Sequence, residues 1–155
     1  MQKYEKAPIP EFLKIKSIIS AFRTTNLHLT ENTGEAHSFW EFLYVEKGDI
    51  SILVDGELFA LTRGDLIIYK PNSYHIVAAL NSATINVVCF ETDSSAMREF
   101  SSNVIRVGTE HHSAIAEIIT LAKLSLTASL RSDYGGMITR DGIPPSTMQK
   151  LANKL

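Results

Sequence analysis

The sequence predicts a mainly β domain, an antiparallel barrel or sandwich, followed by helices. Short apolar runs alternate with turn signals from about Lys16 to Glu91, which is typical of antiparallel β proteins. Asp55-Gly56 stands between two of these runs and indicates a tight hairpin, because a type I′ turn needs positive φ at both central residues. After Glu91 the apolar residues change to helical spacing. The length of 155 residues fits a single core.

The β region contains seven predicted strands. In chain order they are Ser17–Asn26, Phe39–Val45, Ile50–Val54, Glu57–Leu61, Leu66–Tyr69, His75–Leu80 and Thr84–Phe90. A polar loop over Thr30–Glu35 connects the first two, and turns rich in Gly, Asp, Asn and Pro separate the others. We place the barrel and an N-terminal arm in residues 1–92.

Residues 93–155 are predicted to form a helical extension. A short helix is predicted over Ser94–Phe100, an amphipathic helix packed on the barrel over Thr109–Leu130, and a polar linker over Arg131–Gly142. A capping box at Ser146 starts a last helix. Its apolar stripe (Met148, Leu151 and Leu155) favours a homodimer contact. That helix either docks on its own core or is cut from a longer protein.

Composition excludes several classes of protein. Fifteen basic against seventeen acidic side chains give a net charge of −2, so the chain is not expected to bind nucleic acid unaided. The single cysteine, Cys89, excludes an internal disulfide framework and a zinc site with several thiolates; it is interpreted as a small buried apolar residue. The longest uninterrupted apolar stretch, Ile76–Leu80, is far too short for a membrane helix, and a cytoplasmic location is expected.

The candidate site consists of His37, Glu41 and His75. On a strand, His37 and Glu41 would project to the same face, because side chains alternate. A carboxylate between Trp40 and Phe42 is costly in an apolar core without donors, so Glu41 is expected to face water or a lined cavity. His75 on a second strand would supply a donor. We predict that these three residues bind a ligand, with Asn86 as a fourth.

This pattern resembles the two cupin motifs. The first motif corresponds to His37, Glu41 and Gly48, and the second to Gly64-Asp65-Leu66 through Pro71 to His75. More specifically, the segments HSFWEFLYVEKG and GDLIIYKPNSYH look like the N-terminal sensing domain of AraC-type transcriptional regulators. The resemblance implies a cupin-type jelly-roll barrel, a small-molecule effector such as a sugar, a homodimer, and DNA binding through a C-terminal region beyond Leu155.

The resemblance leaves alternatives for the cavity. Metal-binding cupins have His-x-His before the glutamate, whereas this chain has Glu35 and His37. Glu35, His37, Glu41 and His75 could still form a site with two histidines and two carboxylates for Mn²⁺ or Fe²⁺, or His37 could be structural and bonded to Glu41. The main expectation is an effector cavity with no metal, no cofactor and no catalytic residue, in a protein that is not an enzyme. The alternative is a metal-dependent cupin enzyme, an isomerase or dioxygenase.

Overall fold

A computed structural model describes residues 13–27, 34–79, 81–101, 103–127, 138–139 and 150. Two main antiparallel sheets build the domain. The strands are β1 (Ser17–Leu27), β2 (Trp40–Lys47), β3 (Asp49–Val54), β4 (Glu57–Thr62), β5 (Asp65–Tyr69), β6 (His75–Ala78), β7 (Ala83–Glu91) and β8 (Val104–Arg106). The larger sheet has the order β1-β7-β2-β5-β8, and the smaller has the order β4-β3-β6. The predicted mainly β barrel is confirmed.

The remaining described elements follow the barrel strands. They are α1 (Met97–Phe100), a 3₁₀ turn (Thr109–His111), α2 (His112–Ser125), β9 (Leu126–Thr127) and β10 (Ile138–Thr139), the last two forming a small antiparallel pair. Within the described part of the chain, no helix is long and apolar enough to cross a membrane.

Alternation along β2 and β7 gives the larger sheet two buried faces. Leu43 and Val45 of β2, with Ile85 and Val87 of β7, face the barrel interior. Their neighbours face outward, where the sheet packs against α1 and α2; this outer layer contains Trp40, Phe42, Tyr44, Val88, Phe90, Met97, Ile115, Ile118 and Ile119. A strand buried on both faces is apolar throughout, and the polar exceptions on these strands therefore mark special positions.

The hairpin predicted at Asp55-Gly56 is present. Asp55 has φ +48° and Gly56 φ +92°, both in the left-handed region that a type I′ turn requires. The flanking residues Val54 and Glu57 are paired in antiparallel register. The local sequence therefore fixes the connection between β3 and β4.

The region after Glu91 differs from the sequence-based expectation. It contains the strand β8, which pairs with β5 at the edge of the larger sheet, where helices alone were expected. The long helix ends at Ser125 rather than near Leu130, and the chain continues into β9. The predicted linker contains β10. The N-terminal arm, most of that linker and the C-terminal stripe of Met148, Leu151 and Leu155 lie outside the described residues.

Candidate metal centre

Two chain segments are joined by their backbones to form one end of the barrel. Glu35 and His75 exchange two backbone hydrogen bonds, with N···O distances of 3.0 and 2.9 Å. The backbone N–H of Asn72 donates to the backbone carbonyl oxygen of His37 at 2.7 Å. Residues 34–37 and 72–75 are thereby held side by side, which brings both histidines to the same place.

His37, Glu41 and His75 converge as the sequence predicts, but for a partly different reason. His37 lies in the bent segment before β2, which begins only at Trp40, so strand alternation does not set its direction. Its Nε2 is nevertheless 3.1 Å from Glu41 Oε2. His75 Nε2 lies 4.0 Å from Glu41 Oε1. One ligand atom from each of the three residues lies within 4.8 Å of the other two.

Both imidazole rings are oriented by hydrogen bonds at Nδ1. His37 Nδ1 is 3.0 Å from the carbonyl oxygen of Phe39, and His75 Nδ1 is 3.1 Å from that of Ser73. A carbonyl oxygen only accepts, so each Nδ1 carries the proton and the Nε2 of a neutral ring keeps its lone pair. Metal-binding histidines in proteins have this arrangement, in which the ring nitrogen that does not bind the metal donates to a carbonyl or carboxylate oxygen.

When both imidazoles are neutral, the side chains of His37, Glu41 and His75 direct hydrogen-bond acceptors at one another. A neutral His37 would direct the Nε2 lone pair at a carboxylate oxygen, which is repulsive unless a cation lies between the two atoms. His75 Nε2 is buried and has no hydrogen-bond partner among the described residues. A buried polar atom of this kind is costly, and its position beside a carboxylate fits coordination of a cation.

The contacts between His75 and the nearby carboxylates change the pKa values of His75 and Glu35. Burial lowers the pKa of His75, but the interactions with Glu35, Glu41 and the Ser73 carbonyl outweigh it, so the pKa is raised overall. Interaction with the His75 imidazole lowers the pKa of Glu35. The Glu35 carboxylate is 3.6 Å from His75 Nε2 and 43% exposed. It lies beside the three-residue group rather than within it.

The site opens into a cavity of about 190 Å³. Its lining residues come from β1, the segment before β2, and strands β2, β6 and β7: Ile19, Ser20, Phe22, Glu35, His37, Phe39, Glu41, Leu43, His75, Val77, Ile85, Val87 and Cys89. The phenyl ring of Phe39 stacks on His37 with ring centres 3.9 Å apart, and Tyr69 stacks on His75 at 4.3 Å. Aromatic packing therefore restrains both imidazoles.

Asn86, the fourth predicted ligand-binding residue, is not brought to this cavity. Its register on β7 places Ile85 and Val87 inward and Asn86 on the opposite face. The Asn86 amide donates to Glu46 Oε2 at 3.0 Å, and Glu46 also binds Arg23. This buried asparagine thus connects β7, β2 and β1 on the outside of the sheet.

Cys89 has a contact that the sequence analysis did not predict. It pairs with Glu41 across β2 and β7, and its thiol donates to Glu41 Oε2 at 3.2 Å. Burial raises the pKa of the Cys89 thiol, so sulfur stays protonated and acts as a donor. No local sequence signal reveals this contact, because it depends on the register of two strands far apart in the chain.

The β region is similar to a known family of protein domains. Residues 27–91 match the family model described as the cupin domain. The expected resemblance to cupins is confirmed at this level, whereas the assignment to AraC-type regulators stays a prediction. The comparison with curated proteins gives no match.

Several solved structures are similar to part of this chain. The hydroxypropylphosphonic acid epoxidase from S. wedmorenis, in complex with fosfomycin, has 20% sequence identity and a TM-score of 0.40, covering 45% of this chain and 42% of that one. The Cnp3 cupin domain of Schizosaccharomyces pombe has 11% identity and a TM-score of 0.45, covering 58% and 68%. An RmlC-like cupin from Shewanella frigidimarina has 20% identity and a TM-score of 0.40, covering 60% and 96%. The chain spans less than half the length of the epoxidase.

The expectation that this protein is not an enzyme is wrong. It assumed a cavity without catalytic or metal-binding groups. The described residues instead contain a group of two histidines and one glutamate that could hold a metal ion.

Proposed function

We propose that this protein is a metal-dependent cupin enzyme in which His37, Glu41 and His75 hold one divalent transition-metal ion. The observation that carries the proposal is the pair of oriented imidazoles facing a carboxylate, with the buried His75 Nε2 lacking a hydrogen-bond partner among the described residues. A proton on His37 would satisfy the contact with Glu41, but His75 Nε2 lies 3.6 Å from the Glu35 carboxylate and 4.0 Å from that of Glu41, beyond hydrogen-bond distance. A metal ion satisfies all three groups.

The donor set favours iron or manganese over a structural zinc site. Two imidazoles and one carboxylate form the facial triad typical of non-haem Fe²⁺ oxygenases, which leaves coordination positions open. Metal–ligand distances near 2.0–2.2 Å place adjacent ligand atoms about 3.0–3.5 Å apart. The 3.1 Å separation of His37 Nε2 and Glu41 Oε2 fits this range, and the 4.0 Å separation at His75 is somewhat wider.

Of the two reaction classes expected for a metal-dependent cupin, this triad favours the dioxygenase. A bound ion would supply Lewis acidity and, if iron, electrons for chemistry with dioxygen. The protein contributes the cavity, in which the side chains of Leu43, Val77 and Val87 form an apolar wall that would orient an organic substrate beside the triad. The carbonyls of Phe39 and Ser73 fix the imidazole tautomers.

Metal analysis of the purified protein tests the proposal. Protein reconstituted with Co²⁺ under anaerobic conditions and passed through a desalting column should keep one equivalent of metal. His75→Ala and Glu41→Gln should each lower the affinity at least about 100-fold, because each removes one of three ligands. His111→Ala is the matched control, since His111 is an exposed histidine remote in sequence from the cluster. Equal Co²⁺ binding by wild type and His75→Ala would overturn the proposal.

A second candidate is effector sensing in an AraC-type regulator. The observation favouring it is that one face of β1 lines the cavity and the other packs in the outer layer. Ile19 and Phe22 line the cavity, whereas Ala21 packs in the outer layer with Ile118 of α2. A ligand that displaces β1 would therefore act directly on the helical extension. If sensing is the function, saturating ligand should change amide hydrogen exchange in α2, and removal of metal should leave that response intact.

A further inference from the structure

The size of the cavity limits the part of a ligand that can be enclosed beside the candidate metal centre. An apolar cavity of about 150 Å³ accepts benzene, and this cavity measures about 190 Å³. A ligand of about six to nine non-hydrogen atoms therefore fits.

The walls separate an apolar body from a polar rim. Residues Ile19, Phe22, Leu43, Val77, Ile85 and Val87 supply hydrocarbon surface from four strands. Glu35 lines the same cavity although its side chain is 43% exposed, so its carboxylate lies where the cavity meets solvent. The two backbone hydrogen bonds with His75 hold Glu35 at this position. A ligand with its body inside and its head at the rim would place that head beside Glu35.

The charges of the site favour one kind of head group. Glu41 is directed at the two imidazoles, whereas the Glu35 carboxylate lies outside that triad, at the rim of the cavity. A carboxylate only accepts hydrogen bonds. A head group that donates hydrogen bonds would therefore be held at this position.

We infer that the substrate is a small primary amine with an aliphatic or aromatic body, whose ammonium group donates to Glu35 at the rim of the cavity. The inference rests on the proposed function in one respect: it takes this amine to be the molecule on which the metal centre acts. Glu35 is then a specificity-determining residue rather than a metal ligand.

Calorimetric titration at pH 7 with three probes of one shape tests the inference. The probes are 3-methylbutylamine, 3-methylbutan-1-ol and 3-methylbutanoate, and each is titrated into metal-free and Co²⁺-loaded protein. The amine should bind about tenfold more tightly than the alcohol, because it adds a charge–charge attraction to the same apolar burial. Glu35→Gln should reduce this preference to less than about threefold, and Glu35→Lys should shift it toward the carboxylate. Glu57→Gln, at an exposed glutamate on β4, should leave it unchanged.

Salt gives a second measurement that needs no variant. Raising the salt from 50 to 500 mM should weaken binding of the amine and leave the alcohol unaffected, because salt screens a charge pair at the rim. An amine that binds no more tightly than the alcohol, or a preference that persists in Glu35→Gln, would overturn the inference.

The titrations of metal-free protein separate the two proposals. A Glu35-dependent preference in protein that takes up no Co²⁺ would contradict the proposed metal centre alone, and one equivalent of Co²⁺ without that preference would contradict the amine alone.

Discussion

The carboxylate of Asp55 is bound to the residues that immediately precede His75. Asp55 Oδ1 accepts the backbone N–H of Tyr74, and Oδ2 accepts the hydroxyl of Ser73, both at 2.9 Å. The backbone N–H of Asp55 in turn donates to the carbonyl oxygen of Tyr74 at 2.8 Å. The turn between β3 and β4 therefore holds the loop that carries His75, and the strongest sequence signal of a hairpin also positions the candidate metal centre.

Replacing Asp55 should destabilise the protein and loosen this loop. Asp55→Asn keeps the left-handed turn, which asparagine tolerates, but removes the charge, and should cost about 1 kcal/mol of unfolding free energy. Asp55→Ala loses both accepted hydrogen bonds and should cost about 2–3 kcal/mol. Urea unfolding measures both values. Asp49→Asn, an exposed aspartate on β3, is the control and should change stability by less than about 0.5 kcal/mol.

The same carboxylate predicts a pH dependence of stability. The hydrogen bonds from Tyr74 and Ser73 lower the pKa of Asp55 below its ordinary value of about 3.9. The unfolded chain therefore binds a proton more readily than the folded protein. The stabilisation by the carboxylate is complete above that ordinary value and is lost as the pH falls through the lowered folded pKa.

Unfolding curves from pH 7 to pH 3 for wild type and Asp55→Asn measure this contribution. The difference in stability between them should be constant above about pH 5 and should shrink below about pH 4. A difference that grows as the pH falls would contradict the assigned direction of the shift.

Two glycines with positive φ allow a test of the backbone beside the site. A Cβ at Gly34 (φ +74°) would collide with the ring of Tyr74 and approach Ile76 Cγ1 to 2.7 Å. Gly56→Ala meets no atom within 4 Å and pays only for its backbone conformation (φ +92°), about 1–2 kcal/mol. Gly34→Ala should cost more than Gly56→Ala and should also lower Co²⁺ affinity, because the shift displaces Glu35 and His75. Equal loss of Co²⁺ affinity in both variants would show that the collision has no specific effect on the site.

The part of the site that the sequence reveals is the part set by local chemistry. Asp55-Gly56 between two apolar runs is a strong local signal of a hairpin, and Glu41 between two large apolar residues needs a polar environment wherever it lies. The convergence of His37 with Glu41 was predicted from strand alternation, although a bend ahead of β2 produces it. Spacing in a sequence constrains which residues can meet, but it does not identify the backbone that brings them together.

The features that were not predicted depend on pairing between distant segments. β8 has three residues, too few for a periodic signal, and it exists because β5 offers an open edge at residues 65–67. Strand register also explains why the predicted ligand residue Asn86 does not reach the cavity, and why Cys89, which was expected only to fill space, contacts the candidate site. The register of β7 directs Asn86 to the outer face, where it binds Glu46, and directs Cys89 to Glu41 inside the barrel.

Cys89 should act on the candidate metal centre through Glu41. Its thiol donates to Glu41 Oε2, the oxygen that also contacts His37 Nε2, and partners of metal ligands typically contribute 10–100-fold to affinity. Cys89→Val fills the space without a donor and should lower Co²⁺ affinity about tenfold, whereas Cys89→Ser keeps a donor and should remain within about threefold of wild type. Competition with a chelator measures the affinities, and the visible spectrum of bound Co²⁺ reports ligand geometry. If Cys89→Val and Cys89→Ser give the same affinity and the same spectrum as wild type, the thiol does not position Glu41 and serves only to fill the barrel.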